Sequence, residues 1–117
     1  MKQKVAPERS ALERERDELA EELERLRDAL RGEVRVDLEE GDPDLHEREK
    51  NLALVKTLEG KLQSIERALR ALDLGVYGVC ERCGTHIDSE RLEARPDATM
   101  CLDCQREVER LARRGRD

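Results

Sequence analysis

The sequence predicts a mainly α protein: an antiparallel coiled-coil hairpin, then a small cysteine-held module, then a short C-terminal helix. Three observations carry that expectation. Two stretches repeat leucine-rich apolar positions at steps of three and four. An acidic, glycine-bracketed break separates them. All four cysteines of the 117-residue chain then fall into two C-x-x-C pairs. The composition agrees. Asp, Glu, Lys and Arg make up 44% of the residues, apolar residues 37%, and Tyr77 is the sole aromatic. So few aromatics argue against one large globular core. Glu, Arg, Leu and Ala in excess are the composition of long charged helices.

The first helix is expected over about Glu8 to Arg31. Pro7 stands just before it, near where a first-turn proline is tolerated. Leu12, Leu19, Leu23, Leu26 and Leu30 form an a/d stripe with one gap, at Arg16. Glu and Arg occupy the other faces, with i,i+4 pairs such as Glu21 and Arg25. Gly32 reads as the residue that ends the helix.

The second helix is expected from about Pro43 to Leu74, with Asp42 as N-cap, Pro43 at the first helical position and Gly75 as the stop. Its stripe is Val55, Leu58, Leu62, Ile65, Leu69 and Leu72. If the helices fold back on each other, Leu26 faces Leu52, Leu23 faces Val55 and Leu12 faces Ile65. The matched stripes favour this hairpin over helices that pair with other chains. The longer helix would span roughly 45 Å at 1.5 Å per residue.

Residues 1–75 are thus read as the hairpin, with an acidic tip at about 32–44, and residues 76–117 as the second module. The tip segment is unusual in charge. Between Glu33 and Glu49 stand eight acids against Arg35 and Arg48, which accounts for the whole formal net charge of −6. That balance argues against nucleic acid as the main partner, because phosphate binding favours basic proteins.

The cysteines follow the pattern Cys80-x2-Cys83-x17-Cys101-x2-Cys104. Two C-x-x-C pairs at this spacing are a strong zinc signature, and make residues 76–117 a small zinc-finger module. Gly84, directly after Cys83, permits the tight turn such a pair needs. Four thiolates close a tetrahedral shell and leave no position for a reacting water, so the site is structural. One zinc ion would also supply folding free energy of order ~10 kcal/mol to a module with little apolar material. Two disulfides, a redox pair and a rubredoxin-type iron site are the alternatives. A zinc deaminase needs a ligand followed by x-Glu, then Pro-Cys-x-x-Cys. Here Ile87 and Asp88 follow His86, and Pro96 lies five residues before Cys101. His86 and His46 read as solvated residues.

The x17 spacing also fits DNA-reading zinc modules. From Cys80 onward, however, eight arginines face nine acids, and a zinc tetrathiolate adds further negative charge. The stretch from Leu102 to Arg114 reads as a short helix with Leu102, Val108 and Leu111 on one face. That face is expected to pack against the base of the hairpin.

Tyr77-Gly78-x-Cys80-x-x-Cys83-Gly84-x-x-Ile87, then Arg91-Leu92-x-Ala94-x-Pro96-x-Ala98-x-x-Cys101-x-x-Cys104-Gln105, resembles the DksA/TraR zinc-finger family. The resemblance covers residues 76 to 105, and the hairpin agrees with that family's architecture. It implies a transcription regulator that binds RNA polymerase directly. Such proteins insert the coiled-coil tip through the secondary channel to modulate initiation, without contacting promoter DNA. The family tip carries Asp-x-x-Asp. Gapless counting lands on Asp37 and Glu40, and Asp42-Pro43-Asp44 is the other candidate. Of the family's positions for the alarmone ppGpp, Arg95 matches. Thr57, Lys61, Ser64 and Gln105 stand where better-known members carry Arg, Leu, Lys and Lys. The net loss is two cations, so ppGpp dependence is expected to be weak.

The functional expectation is therefore a non-enzymatic, monomeric regulator of RNA polymerase. The longest apolar run, Leu52 to Val55, is too short for a membrane span, and MKQKVAPERS lacks an apolar signal segment. Localisation in the cytoplasm follows as the default. A coiled-coil adaptor with a zinc-stapled end is the alternative, and a zinc-dependent DNA-binding module a weaker one.

Overall fold

A computed structural model describes the backbone of residues 2–40 and 45–115, and the side chains of residues 8–32 and 45–115. Among the described residues four helices follow in order: α1 (Lys2–Glu40), α2 (Leu45–Leu74), α3 (Ser89–Ala94) and α4 (Leu102–Arg114). The mainly α class is as expected. Two compact units divide the chain: residues 14–63, and residues 1–13 together with 64–117.

In the unit of residues 14–63, Leu23 and Leu30 of α1 are buried. Val55, Leu58 and Leu62 of α2 are half-buried. Antiparallel pairing shows in the ion pairs: Arg27 Nη2 lies 2.5 Å from Glu59 Oε2, and Lys61 Nζ 3.3 Å from Glu15 Oε2. Exposed pairs of this kind stabilise by at most about 1 kcal/mol each, so the leucines hold the hairpin and the charges keep it soluble.

Two expectations about α1 need correction. The helix begins at Lys2, so Pro7 lies inside it, where it lacks one backbone hydrogen bond. It also runs through Gly32 to Glu40 instead of stopping. Gly32 has no positive φ, and an added Cβ there would meet nothing within 4 Å. A helical glycine costs only about 1 kcal/mol relative to alanine, too little to stop a helix by itself. Helix α1 therefore runs eight residues past the stop read from the sequence. Leu52, expected opposite Leu26, is 47% exposed. The capping signal at Asp42 and Pro43 lies outside the described residues.

The other unit holds the densest packing. Leu12 and Ile65 are fully buried, and Ala68, Leu69 and Leu72 join them. Burial of each large side chain stabilises by about 1.5–3 kcal/mol. Arg9 Nη2 meets Asp73 Oδ1 at 2.5 Å. Gly75 ends α2 as the sequence implies, with φ of 75°. Its N–H donates to Leu72 O at 3.2 Å, and that of Val76 donates to Ala71 O at 2.9 Å. These two bonds form a Schellman cap, which requires the left-handed conformation that glycine adopts without steric cost.

Helix α4 departs from expectation. Leu102, Val108 and Leu111 are 45%, 36% and 45% exposed, so its apolar residues are not packed away. Cys104 is the helix's one buried residue. The helix is fixed at its first turn by that cysteine, and its later turns bury nothing. Among the described residues, no helix is long and apolar enough to cross a membrane.

Candidate metal centre

The loops that carry the cysteines are set by backbone hydrogen bonds. Cys80 N–H donates to Thr85 O at 2.8 Å, and Gly84 N–H to Cys80 O at 3.0 Å. Gly84 takes φ of 81°, which turns the chain back directly after Cys83. Val79 and His86 face each other across an isolated antiparallel bridge, and Ile87 N–H donates to Gly78 O at 2.8 Å. The second pair spans the entry to α4, with Cys101 as N-cap residue and Cys104 in the first turn. Ile87 is buried with Cys80 and Cys104, and Leu92 and Met100 pack against them.

The two loops are joined directly. Glu81 N–H donates to Thr99 O at 2.9 Å, and the Thr99 hydroxyl donates to Glu81 Oε2 at 2.5 Å. Arg91 Nε–H donates to Met100 O at 3.2 Å, and the Tyr77 hydroxyl to Pro96 O at 2.8 Å. The Tyr77 hydroxyl pKa is pushed up to about 12, first by burial and then by the negative charges of Glu8 and Asp97.

The Sγ atoms of Cys80, Cys83, Cys101 and Cys104 all lie within 4.8 Å of one another. Cys83 and Cys101 sulfurs are 3.8 Å apart, and all four thiols are free. Sulfurs at about 2.3 Å from a shared tetrahedral zinc stand about 3.8 Å apart, whereas a disulfide needs about 2.05 Å. The donor set therefore fits zinc. Sγ of Cys80 faces the N–H groups of Arg82 at 3.4 Å and Cys83 at 3.5 Å, the contacts that stabilise a thiolate. Burial acts to raise the Cys80 thiol, but backbone donors at Cys83, Cys101 and Arg82 outweigh it and bring the pKa down to about 6. Thr85 lowers Cys83 through its hydroxyl, 3.0 Å from the sulfur. Burial, followed by the facing sulfurs of Cys101, Cys83 and Cys80, pushes Cys104 up to about 12. Four thiolates cannot share so small a volume without a cation, and a divalent ion removes that penalty.

A family described as the prokaryotic dksA/traR C4-type zinc finger matches residues 75–110. The structure is also similar to that of transcription factor DksA2 from Pseudomonas aeruginosa. The TM-score is 0.66 at 33% identity, covering 93% of this chain and 85% of that one. This chain belongs to the DksA/TraR family. Among curated proteins, an uncharacterized protein YteA of Bacillus subtilis is 48% identical over 60 residues, which are 51% of this chain and 25% of that protein. RNA polymerase-binding transcription factor DksA of Caulobacter vibrioides is 46% identical over 56 residues, 48% of this chain and 39% of that protein. The chain thus spans well under half the length of these curated relatives. As a DksA/TraR C4-type module, it takes one structural zinc ion.

The other residues singled out by the sequence are placed as follows. His86 is exposed and outside the sulfur cluster, and His46 is exposed on α2. Arg95 follows α3, and its backbone N–H donates to Arg91 O at 2.7 Å. The side chains of Asp37 and Glu40, and all of Asp42 and Asp44, lie outside the described residues. Sequence reasoning missed the Glu81–Thr99 link. Glu81 follows Cys80 directly and Thr99 precedes Cys101 by two, but nothing in the spacing says that the two loops meet there.

Proposed function

We propose that this DksA/TraR protein is a non-enzymatic transcription regulator that binds RNA polymerase directly. It inserts its coiled-coil tip through the secondary channel and thereby modulates initiation. The observation that carries this reading is the likeness to Pseudomonas DksA2 across 93% of the chain. A relative named as an RNA polymerase-binding factor adds support. Cys80, Cys83, Cys101 and Cys104 hold the zinc ion, which keeps the module folded and takes no part in chemistry. The acids Asp37, Glu40, Asp42 and Asp44 form the functional tip. Carboxylates there can meet basic groups or alter the coordination of Mg²⁺, which prefers oxygen ligands.

The protein acts as a monomer in the cytoplasm and does not contact promoter DNA. Any contribution to ppGpp binding comes through Arg95 and is weak. The remaining positions support this, because each is engaged within the chain. The Thr57 hydroxyl donates to Ala53 O at 3.2 Å, Lys61 pairs with Glu15, Gln105 Nε2–H donates to Glu109 Oε2 at 2.9 Å, and the Ser64 hydroxyl accepts from Arg67 at 3.4 Å. The test is co-purification with the host polymerase, followed by crosslinking from a reagent placed at Glu39. Crosslinks to secondary-channel segments are expected. Failure to bind polymerase would leave the adaptor reading in its place.

A further inference from the structure

Beside the cysteine cluster, and not used by it, lies a cavity of about 380 Å³. Its walls are Ala71, Leu74, Val76 and Val79, all apolar, and Cys80 closes one side. The volume falls within the range of small-molecule sites, roughly 300–1,000 Å³. Leu74 is 76% exposed and Val76 45%, so much of this apolar wall is left to water.

Charged groups on the lining indicate what the cavity takes. Arg67 and Arg70 contribute two cations and Glu81 one anion, leaving one net positive charge. Arg67 Nε is shut off from solvent and makes no hydrogen bond. The nearest carboxylate oxygen, Glu81 Oε2, is 3.6 Å away, too far for one, and already accepts from Thr99. The Arg67 side chain as a whole is 39% exposed, so its outer nitrogens can meet an acceptor that a ligand brings. A single carboxylate matches that net charge. A polyphosphate would place several negative charges against an apolar wall and beside Glu81.

We infer that this cavity binds a small amphiphilic carboxylate, with the acid on Arg67 and Arg70 and an aliphatic body against Ala71, Leu74, Val76 and Val79. The inference does not depend on polymerase binding. It places a small-molecule input next to the zinc knuckle, since Glu81 lies between Cys80 and Cys83.

Octanoate is the probe, added below its micelle concentration to the zinc-loaded full chain. Binding is followed by amide shifts at Ala71, Val79 and Thr99. Saturable shifts confined to the cavity are expected. Octanol, of equal length without the acid, should bind at least about tenfold more weakly, as should octanoate to Arg67→Gln. Ala71→Leu fills the cavity and should abolish binding with one zinc retained. If that variant loses its zinc, Arg67→Gln and the surface variant Arg70→Gln carry the test. Shifts that do not saturate, equal binding of octanoate and octanol, or octanoate binding unchanged in both arginine variants would each overturn the proposal.

Discussion

Glu81 and Thr99 hold each other twice, by a backbone bond of 2.9 Å and a side-chain bond of 2.5 Å. They tie the loop of Cys80 and Cys83 to the loop of Cys101 and Cys104, so the two metal-gripping halves are joined independently of the metal. Thr99→Val should destabilise the module by about 0.5–1.5 kcal/mol, and Glu81→Gln by a similar amount. The double variant should lose less than the two together. Zinc-release rate against a chelator is the readout, and strict additivity would show that the side-chain bond contributes nothing.

Zinc removal should unfold the C-terminal module and spare most of the hairpin's helicity, because Leu23, Leu30 and their partners pack without the metal. Metal analysis should give one zinc per chain. Cys101→Ser should lose it, and full occupancy in that variant would remove Cys101 from the ligand set.

Tyr77 supplies a clean titration, being the only aromatic residue. Its hydroxyl is raised to about 12 in the folded chain, against about 10 when unfolded. The neutral form is the one the fold favours. Its contribution to stability is therefore complete below about pH 10 and is lost as pH rises from about 10 to about 12. Tyrosinate absorbance should show the raised midpoint in the zinc-loaded protein and the ordinary one in denaturant. Coincident midpoints would mean that Tyr77 is not held buried near Glu8 and Asp97 in solution.

Two glycines should respond in opposite directions. Gly75→Ala forces an L side chain into φ of 75° and should destabilise by roughly 1–2 kcal/mol. Gly32→Ala lies within α1 with open space around the new Cβ, and should stabilise by up to about 1 kcal/mol. Thermal melts decide it, and loss of stability at Gly32 would restore a helix stop there.

Replacing Asp37, Glu40, Asp42 and Asp44 together by Asn or Gln removes four charges at similar size. Polymerase binding should weaken only modestly, while the effect on sensitive promoters should largely vanish. Regulation equal to the parent would reduce these acids to a solubilising role, and complete loss of binding would make them a docking element.

Local chemistry in the sequence was enough for much of this protein. Steps of three and four place leucines on one face of any helix, so the coiled-coil stripes were legible from spacing alone. Two C-x-x-C pairs point to a four-thiolate metal site, with zinc the leading ion, because each pair brings its two sulfurs to one centre from a single tight turn. Gly75 was legible as a stop because a cap needs only its own neighbours. Gly32 misled for the converse reason: a glycine ends a helix only when the chain around it turns, and α1 continues. The uncovered turns of α4, the Glu81–Thr99 link and the cavity beside Arg67 had no signature. Each depends on which distant segments the fold brings together, and residue spacing fixes a face but not what lies opposite it.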